Sequence, residues 1–314
     1  MDGNGLRAGR FSGWTVRRPL EPSPEPRLQW QAPFGDSVAI VAIEPLPGSD
    51  TTLPRDILFA REGVLLPARL VSPDGALFNH IASLDGSSAV ATGFGVSSSV
   101  RVDEKGRVTI EPAWPQPIDA EIPFGDGRLA WTGTLVPPVS SESVLQWRDG
   151  SGHTASATVP FMSLNAVVAS QGRVYWPAVT GGLWRWSPEE GAEQVIGGQP
   201  LVNAVREEAG VRLEAIDPSK GRVRPGQQHS LRLHEGGRLE PGAPNPLGVL
   251  WSRAEAGGRT AEAYPYADCV IVTTATGGSL ALVAYYPVGV AWAGRSLLVL
   301  SATGHLFLFE GLGA

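Results

Sequence analysis

Four stretches place oxygen-bearing side chains at matching points near the start of an apolar strand: Asn79-His80, Glu121, Asn165 and Asn203. If these oxygens converged on one point they could hold a cation, but calcium takes six to eight oxygen ligands, more than this set supplies. Glu121, Asn165 and Asn203 offer one carboxylate and two amides, which leaves several places to water. Polar residues lining a wet channel, or capping strand starts, produce the same pattern without metal. A second group suits recognition of a partner: Trp114, Asp50, Arg55, Arg222 and Arg224. Tryptophan and arginine dominate binding hot spots. Trp114 stands between Pro112-Ala113 and Pro115 and suits either a binding anchor or a plug folded inward, and burial is the commoner fate of tryptophan.

Other chemistry is missing from the sequence. There is no P-loop, no His-Glu-x-x-His pair, no Gly-x-Ser-x-Gly elbow and no Cys/His cluster for zinc. Gly93-Phe94-Gly95 is not a dinucleotide fingerprint, because no helix follows it. The five histidines (80, 153, 229, 234 and 305) are scattered along the chain. Cys269 lies in the apolar run Cys269-Val270-Ile271-Val272 and reads as an inert core thiol. No catalytic residue and no cofactor is expected.

The elements that would position these groups come from an internal repeat. Pro33-Phe34-Gly35-Asp36 and Pro123-Phe124-Gly125-Asp126 each precede an apolar strand. Looser copies of strand, tight turn and strand surround Asp85-Gly86, Gln171-Gly172, Ala209-Gly210, Gly257-Gly258 and Gly294-Arg295. The turns recur about every 43 residues, the spacing of four-stranded propeller blades. Second hairpins turn at Glu62-Gly63, Glu104-Lys105-Gly106, Asp149-Gly150, Glu189-Glu190-Gly191, Glu235-Gly236-Gly237 and Thr276-Gly277-Gly278. Glycine and aspartate permit the left-handed backbone of hairpin turns.

The expected fold is all-β: a seven-bladed β-propeller of four-stranded blades. Residues 1–26 form an N-terminal arm and closing strand, and the blades span about 27–73, 74–113, 117–160, 162–199, 201–241, 247–287 and 288–314. The last unit lacks an outer strand, and Trp14-Thr15-Val16-Arg17 is expected to supply it, closing the ring and removing an open edge. A pair of β-sandwiches would not explain seven units with one turn grammar. The units resemble the general β-propeller superfamily, in the manner of WD40-like and quinoprotein-like repeats, over essentially the whole chain. The Trp-Asp blade ending and the kelch double glycine are both missing, so the resemblance implies a scaffold rather than an activity. Propeller hydrolases of the gluconolactonase and paraoxonase type hold calcium with Glu and Asn ligands, which is the reading Glu121, Asn165 and Asn203 would serve.

Composition bounds the partners. The 314 residues include 39 Gly and 27 Pro, favouring short strands over long helices, and the net charge is −6. An acidic surface does not attract nucleic acid. No apolar run reaches the ~18 residues of a membrane span. One cysteine and no signal-like leader suit the cytoplasm. The expected insertions, Glu44 to Arg55, Val136 to Val144 and Asp217 to Gln228, share one end of the propeller with the connectors Pro112–Ile118 and Pro241–Gly248. Long loops on a rigid frame concentrate binding residues. The leading expectation is therefore a non-catalytic scaffold that binds another protein at that end. The alternative is a calcium-dependent lactonase or esterase.

Overall fold

A computed structural model describes the strands within residues 11–85 and most of the chain from residue 88 onward. Outside the described residues lie 1–10, 14–26, 35–36, 46–51, 62–63, 69–77, 86–87, 94, 104–106, 134–140, 163–165, 179–180, 198–200, 208–209, 216–228, 235–237, 243–244, 302–305, 310–311 and 313–314.

The strands pair antiparallel in four-stranded sheets. β1 (Phe11–Gly13) stands apart from the strands that follow it in sequence. β2 (Arg27–Phe34), β3 (Ser37–Pro45), β4 (Thr52–Arg61) and β5 (Val64–Ala68) form one sheet. β6 (Phe78–Asp85), β7 (Ser88–Gly93), β8 (Ser99–Asp103) and β9 (Val108–Ile110) form the next. β10 (Ala120–Phe124), β11 (Gly127–Trp131), β12 (Glu142–Arg148) and β13 (Thr154–Pro160) follow. Then come β14 (Val168–Ser170), β15 (Arg173–Pro177), β16 (Leu183–Ser187) and β17 (Gly191–Ile196). β18 (Leu201–Glu207), β19 (Gly210–Ala215), β20 (His229–His234) and β21 (Leu239–Pro241) repeat the order. So do β22 (Ser252–Ala256), β23 (Arg259–Tyr264), β24 (Cys269–Thr273) and β25 (Ser279–Val283). The last sheet is ordered β1, β28 (Leu306–Phe309), β27 (Ser296–Ser301), β26 (Pro287–Ala293). These four-stranded sheets are the blades of an all-β propeller.

The reversals fall where the repeat grammar puts them. Phe124 pairs with Gly127, Ser170 with Arg173, and Ala256 with Arg259, each across a two-residue turn. At Gln171-Gly172 and at Gly257-Gly258 both turn residues have positive φ (52° and 70°, then 57° and 73°), as a twisted two-residue hairpin requires. Pro188–Val195 is turn and strand, and the described residues of Asn203–Gly210 are strand.

Two readings shift. The fourth strand of the last sheet is Phe11–Gly13, with Phe11 opposite Phe309 and Gly13 opposite Phe307; Trp14–Arg17 lies outside the described residues. The expected insertion Glu44–Arg55 is strand at both ends, where Glu44 pairs with Leu53 and Pro45 with Thr52, while 46–51 lies outside the described residues. Arg55 sits in β4 at a register irregularity between Pro54 and Asp56.

Contacts gather the chain into two compact units. The first comprises residues 1–94, 98–112 and 251–314, the second 95–97 and 113–250. Within the second, the facing surfaces of the β10–β13 and β14–β17 sheets enclose Leu129, Trp131, Leu145, Val159, Met162, Val174, Trp176 and Trp186. The indole of Trp176 is fully buried, and its Nε1 donates to the Pro160 carbonyl at 3.1 Å. In the first unit, Val270, Val272, Leu282, Trp292, Leu297, Val299 and Phe309 form the equivalent interior between neighbouring sheets. Arg259 lies over the Trp292 ring at 4.3 Å and donates to the Gly294 carbonyl at 3.0 Å. Alternating strand residues thus pack blade on blade.

His80, buried on β6, carries a pH signature. Burial lowers its pKa from 6.5 to about 4, because the interior disfavours the imidazolium. The unfolded chain therefore binds this proton more readily than the folded one, so stability rises with pH between about 4 and 6.5. Acidification from pH 6.5 to 4 is expected to remove about 3 kcal/mol through this group, at ~1.36 kcal/mol per unit. Urea titrations across that window test this, and His80→Asn should flatten the slope.

Candidate functional site

The connector Pro112–Ile118 is the part of the predicted recognition surface that the structure describes most fully. It lies over the β10–β13 sheet and is bonded down along its length. The Trp114 N–H donates to the Ser97 carbonyl at 2.7 Å and the Ile118 N–H to Val96 at 2.8 Å. Gln146, buried on β12, accepts from the Gln116 N–H at 3.0 Å and donates back to the Gln116 carbonyl at 3.1 Å. Arg148, two residues along the same strand, donates to the Ala113 carbonyl at 2.6 Å. A rigid strand therefore holds both ends of the connector.

Trp114 itself is only 3 % exposed. The Arg148 guanidinium covers its ring at 4.3 Å, and its Nε1 donates to Glu121 Oε2 at 3.0 Å. The indole is therefore turned inward beneath an arginine rather than presented at the surface as a binding anchor would be.

Glu121 sits on β10 with a fully buried side chain. Arg128 Nη1 donates to its Oε1 at 3.0 Å, while Trp114 engages Oε2. Both carboxylate oxygens thus hold protein donors, the arrangement that lets a charge exist in a dry interior. Asn203, also buried, donates from Nδ2 to the Leu250 carbonyl at 3.0 Å and accepts from the Ala204 N–H at 3.0 Å. Asn165 lies outside the described residues. The two described members of the calcium set are therefore joined to the protein itself. Among the described residues, no group of three or more His, Cys, Asp or Glu is placed to hold a metal ion.

The sequence reading missed three side chains that build this region. Asp119, buried beside Glu121, accepts from the Gly95 N–H at 2.8 Å and the Gly133 N–H at 2.9 Å, tying together two segments of backbone. Gln146 and Arg148 complete the set. Their partners are mostly main-chain groups, and no motif encodes those. Of the remaining predicted contacts, Asp50, Arg222 and Arg224 lie outside the described residues, and Arg55 is part of β4.

At the opposite end of the same sheets, where first strands turn into second and third into fourth, a cleft of about 410 Å³ opens. The β10–β11, β14–β15 and β16–β17 turns form its rim. Cys269, half buried beside Asp268, has its thiol pKa raised by burial, which agrees with an inert role.

No family model matches the chain, and no curated protein matches it in sequence. Solved structures do match in shape. The chain is similar to YCF48 bound to D1 peptide (TM-score 0.63, 13 % identity), covering 98 % of this chain and 99 % of that one. It is similar to virginiamycin B lyase from Staphylococcus aureus with quinupristin (0.59, 10 %), covering 96 % and 99 %. It is also similar to the WD40 propeller domain of Doa1 (0.56, 10 %), covering 96 % and 98 %. At these identities the likeness extends to architecture and no further. With the sheet order above, it identifies the chain as a β-propeller of four-stranded blades.

Proposed function

We propose that the protein is a non-catalytic propeller scaffold that binds another protein at the end carrying its second-to-third strand loops and blade connectors. The observation that carries this reading is the use made of the polar side chains in the connector region. Glu121, Asp119, Gln146 and Asn203 are all bonded to the protein itself, and they hold the connector and strand ends in place. Groups so engaged build a rigid platform rather than a reaction centre. One neighbour in shape, YCF48, is described as bound to a peptide, which supports a recognition role for this architecture.

The reading takes the seven four-stranded sheets as one ring, with blades near 27–73, 74–113, 117–160, 162–199, 201–241, 247–287 and 288–314. The pairing of Phe11–Gly13 with Leu306–Phe309 in the last sheet supports closure by the N-terminal strand. Asp50, Arg55, Arg222 and Arg224 are the contact residues, in a cytoplasmic setting suited to a chain with one cysteine. No helix among the described residues is long and apolar enough to cross a membrane.

Affinity capture with the wild type and with an Asp50→Ala/Arg55→Ala/Arg222→Ala/Arg224→Ala variant is the test. The variant is expected to lose the captured partner while keeping its circular dichroism spectrum. An unchanged partner set would overturn the assignment of this end.

A further inference from the structure

The cleft at the turn end of the second unit belongs to none of the machinery above. Phe124 and Trp147 supply aromatic walls, and Asp126, Glu189 and Glu190 stand at its rim. Phe124 is itself backed by Trp186, with ring centroids 5.9 Å apart. At about 410 Å³ it falls within the range of ligand pockets, about 300–1,000 Å³.

One guanidinium already rests against this rim. Arg173 meets Glu190 in a two-pronged bond, Nε to Oε2 at 2.9 Å and Nη2 to Oε1 at 2.7 Å. That pair is closed on itself, and Arg185 adds a further contact to Glu190 at 3.8 Å. Asp126 and Glu189 are left without a cation among the described residues. The lining thus carries three carboxylates against one guanidinium. The carboxylates do not converge as a metal site does. A cation that satisfies them must be large and planar enough to reach separate oxygens while lying against an aromatic face. Guanidinium meets both demands, through forked hydrogen bonds to carboxylate and stacking on tryptophan.

We infer that this cleft receives an arginine side chain of a protein partner, held between the Asp126 and Glu189 carboxylates and the Trp147 ring. The site is separate from the loop end, so it adds a second contact surface.

The probe is a blocked Gly-Gly-Arg-Gly-Gly peptide, titrated against the whole protein and read by tryptophan fluorescence and amide chemical shifts. Saturable binding is expected, with shifts centred on Asp126, Trp147 and Glu189. The citrulline peptide, equal in shape but uncharged, should bind about tenfold more weakly. Asp126→Asn/Glu189→Gln should weaken the arginine peptide about tenfold. Glu142→Gln/Glu255→Gln, the same charge change elsewhere, should leave it unaltered, as should Arg222→Ala/Arg224→Ala. Equal binding of the citrulline peptide, equal loss in the Glu142/Glu255 control, or undiminished binding by Asp126→Asn/Glu189→Gln would each overturn the assignment. Absence of any saturable binding would overturn it too.

Discussion

Replacing Glu121 by alanine is expected to lower the unfolding free energy by about 3–5 kcal/mol, the cost of removing one partner from a buried ion pair. The carboxylate is fully buried, and its Arg128 partner is 19 % exposed. Alanine takes the Oε1 acceptor away from Arg128 Nη1 and the Oε2 acceptor away from the Trp114 N–H. Each lost charge-assisted bond carries its own cost. Glutamine is the gentler change, because one amide oxygen still accepts one of these donors while the charge is lost. Glu121→Gln is therefore expected to fall between wild type and alanine in urea denaturation. The same pair of variants separates the clamp from the calcium reading. If Glu121 is a clamp, added calcium leaves the wild-type melting temperature where it was, and both variants melt lower with or without calcium. A calcium-dependent rise in the wild type, lost in Glu121→Gln, would return Glu121 to the role of ligand.

Glu121 also shows what a sequence can and cannot disclose. Its presence at the start of an apolar strand was legible, as was the strand itself. The partners were not. Trp114 is seven residues away, across a proline-rich connector, and nothing in that spacing says which way the indole turns. Asp119 and Gln146 escaped notice because they bind main-chain groups 24, 14 and 30 residues distant. A backbone amide has no sequence signature.

The hairpin turns were legible for the opposite reason. Gly172, Gly257 and Gly258 take positive φ, which glycine permits and the sequence displays, while Gln171 takes it at 52° without that freedom. The first β3–β4 reversal misled because Pro45, Pro47 and Pro54 suggest loop, yet proline is compatible with strand ends and bulges. There the hairpin extends through Pro45 and Thr52, and Pro54 adjoins the register irregularity. The N-terminal strand was expected three residues later than Phe11–Gly13, since a strand so short has too few residues to display an alternating pattern.

The connector plug leads to the second large effect. Trp114→Ala is expected to cost about 3–5 kcal/mol, the range for deleting a buried aromatic side chain. Part of the loss is the cavity, and part comes from the neighbours. Arg148 loses the ring it covers, a contact of about 0.5–2 kcal/mol, and Glu121 loses a donor. Trp114→Phe separates these contributions, because it keeps most of the volume and removes the Nε1 bond to a charged acceptor. A loss of about 1–3 kcal/mol is expected there. Combined with Glu121→Gln, the two changes should be non-additive by about 0.5–3 kcal/mol, as residues sharing one hydrogen bond are. Hydrogen exchange gives a local readout: the amides of Trp114 and Ile118, bonded to Ser97 and Val96, should lose protection in Trp114→Ala. A binding anchor would behave otherwise. If Trp114→Ala kept its stability within about 0.5 kcal/mol, as surface changes do, and lost only partner capture, the inward plug would be the wrong description of this residue.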